Sequence, residues 1–173
     1  MEDNKYPIGK FEYGKSYTSD DNKKHILSIE NFPNELKIAV SQFTPSLLEK
    51  SYRDGGWSAR QIIHHIADSH LNAYIRVKLT LTEDKPVIKT YNQDSWSNLA
   101  DVKSTPLEMS VAIIENIHLR WVNLLKTLTE KDLERTYIHP EYNREFKLSE
   151  LLALYAWHGK HHYGHLQIIL KNK

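Results

Sequence analysis

The chain contains no cysteine. Disulfides therefore cannot hold its fold, and a structural zinc site built on thiolates is excluded. Any thiol chemistry must draw its thiol from a substrate or cofactor. Long apolar runs are also missing. No stretch approaches the ~20 residues that a membrane helix requires, and Met1 to Pro7 lacks the apolar core of a secretion signal. A cytoplasmic protein without membrane contact is expected. Charge of one sign is missing as well: the formal net charge is +1. That leaves no basic excess or stripe for a nucleic acid, so no nucleic-acid partner is expected.

Histidine, in contrast, is plentiful and clustered. Of ten histidines, seven fall in two short windows: His64, His65 and His70, then His158, His161, His162 and His165. The other three, His25, His118 and His139, stand apart and suggest no catalytic role. A chain of 173 residues, 40% hydrophobic and 26% charged, fits one soluble globular domain over residues 1–173.

Residues 1 to about 20 read as an irregular arm. Apolar positions from Ile26 to Val40 predict a helix between Asp20 and about Gln42, interrupted or started late by Pro33. Thr44 and Pro45 open a short helical turn, and Asp54-Gly55-Gly56 is a break. Ser58 with Gln61 has the spacing of a capping box. The helix after it should run to about Leu81 through Ile62, Ile66, Ala73 and Val77. Glu83 to Lys103 looks like a long loop. Thr105 with Glu108 suggests another capping box, starting a helix to about Leu128. Thr129 with Asp132 suggests one further turn. Tyr137 to Phe146 resembles a small hairpin, and a last helix starts near Leu148. The expected fold class is all-α: a four-helix bundle with a small β excursion before the last helix.

Bundles build metal sites from side chains projecting inward on facing helices. Histidines four residues apart lie about one turn apart on one face. The last helix offers two such pairs, His158 with His162 and His161 with His165. At about 100° per residue all four lie within roughly a 100° arc, so periodicity does not choose between the pairs. His65 lies at the edge of the apolar stripe, beside Gln61, Ser69, Asn72 and Arg76. His64 points elsewhere, to solvent or a structural contact. Three imidazoles without a fourth protein ligand describe an open zinc site of the catalytic type. Nickel, copper and iron also accept imidazole. Asp68 could orient a ligand from behind; the simpler reading of it and of Glu150 is as caps or surface charges.

The run from Tyr52 to His70 (YRDGGWSARQIIHHIADSH) resembles the signature of the DinB-like superfamily, and closely that of its YfiT branch. Tyr6 to Gly9 (YPIG) and Trp157 to His165 (WHGKHHYGH) are similar to the same branch. The resemblance covers nearly the whole chain, from about Tyr6 to about Leu170. It implies a four-helix bundle holding one divalent metal ion per chain, zinc first and nickel second, on His65, His161 and His165. It also implies a homodimer and a metal-dependent hydrolase. Related branches are thiol S-transferases using low-molecular-weight thiols such as bacillithiol or mycothiol.

Three functions follow as expectations. A hydrolase would act on a small-molecule substrate with metal-activated water, but no sequence motif names its general base. A thiol S-transferase would need no protein base. A non-catalytic metal-binding stress or sensor protein is the third. In the long loop, Tyr91 and Trp96 could wall a substrate or simply pack across the bundle.

Overall fold

The four long helices are α1 (Ser19–Val40), α3 (Ala59–Thr82), α6 (Leu107–Leu125) and α8 (Leu148–Lys171). Short helices α2 (Pro45–Leu48), α4 (Gln93–Ser97), α5 (Ala100–Ser104) and α7 (Glu130–Leu133) fill the connections. Strands β1 (Thr136–His139) and β2 (Arg144–Lys147) form an antiparallel hairpin before α8. The computed structural model describes residues 4–172; the start of the N-terminal arm and Lys173 lie outside the described residues. Among the described residues no helix is long and apolar enough to cross a membrane.

α1 and α3 each pack on both α6 and α8. Around the bundle the order is therefore α1, α6, α3, α8, with the consecutive long helices α1 and α3 on a diagonal. Local chemistry sets the helix starts. Ser58 accepts from the Gln61 N–H and Gln61 answers at the Ser58 N–H, the reciprocal cap expected there. Thr18 with Asp21 and Thr129 with Asp132 do the same for α1 and α7.

Three expectations need correction. Pro33 lies inside α1 and neither interrupts nor delays it. It does remove the N–H that would bond the Ile29 carbonyl, and that carbonyl finds its donor on α6. The Glu83–Lys103 segment is not a plain loop. Asn92 caps α4 by accepting from the Ser95 N–H at 2.7 Å, and the segment bridges to the hairpin: the Ile88 N–H donates to the Ile138 carbonyl at 3.0 Å and the Ile138 N–H to the Pro86 carbonyl at 2.9 Å. Thr105 does not cap α6. Its N–H closes α5 on the Asp101 carbonyl at 2.8 Å, leaving Pro106 at the start of α6, which ends at Leu125.

The core has two apolar halves. One gathers Ile62, Ile66, Leu36 and Ile114; the other gathers Val77, Trp121, Leu125 and Leu151. Each such side chain contributes about 1.5–3 kcal/mol on burial. Between the halves lies a polar layer of buried His70 and His118, stacked on each other at 4.9 Å and facing Phe32. α1 reaches this layer because Gly159 of α8 leaves room: a Cβ there would stand 2.9 Å from the Phe32 ring. Gly159→Leu should therefore lower stability by about 3 kcal/mol through overpacking, read as a fall in the urea midpoint.

The arm runs antiparallel along α8. The Gly14 N–H donates to Glu150 at 2.8 Å, Trp157 Nε1–H donates to the Gly9 carbonyl at 3.3 Å, and Pro7 lies over Gly164. Glu150 is buried and also pairs with Arg144, so it anchors the arm and is not a surface charge.

Candidate metal centre

Burial and helix pitch bring five histidines together where α3 faces α8. His65 comes from α3; His158, His161, His162 and His165 come from α8. Both pairs of the last helix thus point inward, as their shared arc allows. Donor atoms of His65, His158 and His162 lie within 4.8 Å of one another, and so do those of His161, His162 and His165. His162 joins the two groups, with its ring 4.8 Å from His65 and 5.4 Å from His165. The expected trio is therefore split: His161 and His165 share one group, and His65 sits in the other. His158, His161, His162 and His165 line a cavity of about 540 Å³, while His65 stands behind them.

Each imidazole is held from outside. His165 stacks on Tyr52 at 3.9 Å and donates Nε2–H to the Lys5 carbonyl of the arm at 3.3 Å. His161 stacks on Trp157 at 4.4 Å, and its buried Nδ1 has no partner. Burial is the main force on their charge. It pulls His65 down to about 3, with His161 adding, and His161 and His165 to about 4. His158 and His162 are likewise pulled well below the ordinary histidine range. At neutral pH the cluster is a set of neutral nitrogen donors, which suits a borderline cation such as zinc or nickel.

A hydrogen-bonded chain runs from this cluster through the polar layer. His118 Nδ1–H donates to the Ile29 carbonyl at 2.7 Å, the one Pro33 leaves free. A neutral His118 then presents an Nε2 lone pair, and His70 Nδ1–H donates to it at 2.7 Å. His70 Nε2 must accept in turn, from His158 Nδ1–H at 3.1 Å. The sequence of donors leaves the His158 Nε2 lone pair facing His65 Nε2 at 3.3 Å. One backbone carbonyl thereby sets the tautomers of three rings on three helices. His118, set aside as a solitary histidine in the sequence, is a link in this chain.

The remaining expectations fall out simply. His64 is buried and its Nδ1 meets Ser110 Oγ at 2.7 Å, so its role is structural and it does not face solvent. Burial, with Asp101 adding, raises the Asp68 carboxyl to about 6. No hydrogen bond joins Asp68 to an imidazole among the described residues. Tyr91 lines the cavity with the Trp96 ring tilted against it at 4.2 Å, so packing and walling are both met in this pair.

The DinB superfamily model matches residues 29–166, spanning both histidine windows. The chain belongs to the DinB superfamily. A "putative metal-dependent hydrolase" of Bacillus cereus strain 03BB102 is 46% identical over 171 residues, covering 99% of this chain and 98% of the relative. A protein of the same description from Bacillus mycoides strain KBAB4 is 46% identical over 166 residues, covering 96% and 95%. Among solved structures, YfiT from Bacillus subtilis superposes with a TM-score of 0.95 at 40% identity, covering 98% of this chain and 97% of YfiT. It is described as "a probable metal-dependent hydrolase with an unusual four-helix bundle topology". The diagonal placement of α1 and α3 in this DinB chain belongs to that four-helix bundle fold.

Proposed function

We propose that this chain is a metal-dependent hydrolase whose centre holds one divalent ion, zinc before nickel, on His65, His161 and His165. The observation that carries the reading is the cluster of five neutral imidazoles, four of them on the wall of a cavity, with the His158 Nε2 lone pair facing His65. The choice of three ligands rests on the family resemblance, and so does a homodimer. When bound, the ion supplies a Lewis acid that polarises a carbonyl or phosphoryl oxygen and acidifies water.

The chain's own residues supply the rest. His158 is the base that the sequence motif does not name. Its Nδ1–H is committed to His70, so its basic nitrogen is Nε2, 3.3 Å from His65 Nε2, and with His65 given over to the ion that nitrogen takes the proton of the attacking water. His70 and His118 then accept a share of the resulting charge through their hydrogen bonds, ending on the Ile29 carbonyl. Trp57 donates Nε1–H to Asp94 at 3.1 Å, which pins the α4 segment beside the cavity mouth.

Product release from a panel of small esters, amides and phosphate esters, in thiol-free buffer with zinc- or nickel-loaded protein, tests the reading. Turnover with water alone supports it. Turnover appearing only with an added low-molecular-weight thiol would replace it with a thiol S-transferase. No turnover in either arm, with the metal bound, would leave a metal-binding stress or sensor protein.

A further inference from the structure

The cavity has a second end, built around Arg76. This residue lies on α3, 11 positions after His65, which is about three helical turns. Its Nη1 approaches Tyr155 Oη at 3.5 Å and its Nη2 the Lys89 carbonyl at 3.3 Å. Its Nε is buried without a partner. No carboxylate lies within ion-pair distance of Arg76 among the described residues. Arg76 is half-buried, and two long contacts to neutral oxygens leave unused most of a fork of five donors that matches a carboxylate. Beside it, His139 lines the same cavity with Nδ1 buried and unpartnered.

We propose that Arg76 is the anion-binding group of this cavity, and that the substrate is a small carboxylate whose reacting group sits at the histidines. The proposal rests on the cavity being the substrate site of the hydrolase reading. Tyr155 links the two ends: its hydroxyl meets Arg76, and its ring lies 5.5 Å from that of His158. The other charges on the wall are Lys5, Arg53, Asp94 and Glu141. Asp94 is engaged by Trp57, and Glu141 is exposed on the hairpin turn. Lys5 and Arg53 belong to the segments that hold His165 at the histidine end; at the other end one guanidinium lies with Tyr91, Tyr137 and Tyr155, which suits one carboxylate better than a phosphate dianion, whose charge calls for more cationic donors.

The test uses metal-free full-length protein, so that neither a bound ion nor turnover enters it. 4-Fluorobenzoate and its neutral isostere 4-fluorobenzamide are titrated in parallel by fluorine NMR at pH 7.5. The benzoate should bind at least tenfold more tightly than the amide. Arg76→Gln should abolish that preference, Arg76→Lys should retain part of it, and Arg53→Gln should leave it intact. Equal binding of the two probes, or an unchanged preference in Arg76→Gln, would overturn the proposal. Inorganic phosphate displacing benzoate at equal concentration would overturn the carboxylate assignment. Loss of metal-dependent turnover alone would leave this binding result standing.

Discussion

Metal content should fall from about one divalent ion per chain in the wild type to less than a tenth in His65→Ala, measured by elemental analysis after purification without chelators. His65 is the one cluster histidine contributed by α3, so no neighbour on its own helix can replace it. The bundle should survive, because Ile62, Ile66, Ala73 and Val77 still fill both halves of the core. The decisive comparison is with α8. His161→Ala should lose the ion as His65→Ala does. His158→Ala should keep it and lose turnover by about 10²–10⁴-fold, the range of general-base catalysis. If His158→Ala loses the ion and His161→Ala keeps it, the ligands are instead His65, His158 and His162, whose donor atoms already gather within 4.8 Å. His64→Ala serves as the control. It cuts a bond to Ser110 on the far side of α3 and should cost stability without changing metal content.

How much of this was legible beforehand depends on whether the cause was local. Capping at Ser58 and Thr129 and the hairpin between Tyr137 and Phe146 are decided within a few residues, and the sequence predicts each correctly. Pro33 is different. Its cost to α1 is offset by a donor 85 positions away, His118, which no window can contain. The short helices α4 and α5 are too brief for periodicity to register, and α4 depends on the Asn92 cap and on Trp57 holding Asp94. The two histidine pairs of α8 could not be ranked because all four rings occupy one inward arc. In the structure all four join the cluster. For His70 the sequence offers only membership of the first histidine window; α6 and α8 together reveal that its two nitrogens bridge His118 and His158.

That bridge gives the second large effect. In His118→Phe the phenyl ring should fill the space between Phe32 and Trp121, so packing is largely kept. Two polar groups lose their partner: the His70 Nδ1–H and the Ile29 carbonyl. Each buried orphan costs about 1–3 kcal/mol, so the urea midpoint should drop clearly. Metal content should stay near one per chain, because no proposed ligand is touched. Turnover should fall about 10–100-fold, the usual cost of losing a group that orients a histidine from behind. Nitrogen-15 NMR of the imidazoles should register the cause, with His158 no longer confined to the Nδ1–H tautomer. Pro33→Ala then separates the two orphans. It restores a backbone N–H four residues after Ile29, able to donate to that carbonyl. In wild type this donor is redundant, since His118 already occupies the position. In His118→Phe it satisfies an orphan. Pro33→Ala should therefore stabilise the His118→Phe protein by roughly 1 kcal/mol more than it stabilises the wild type. Helix propensity cancels in that difference because it enters both backgrounds alike. Turnover should not recover, since His70 still lacks its acceptor and His158 its fixed tautomer. Identical effects of Pro33→Ala in the two backgrounds would mean that the chain of imidazoles does not end on the Ile29 carbonyl.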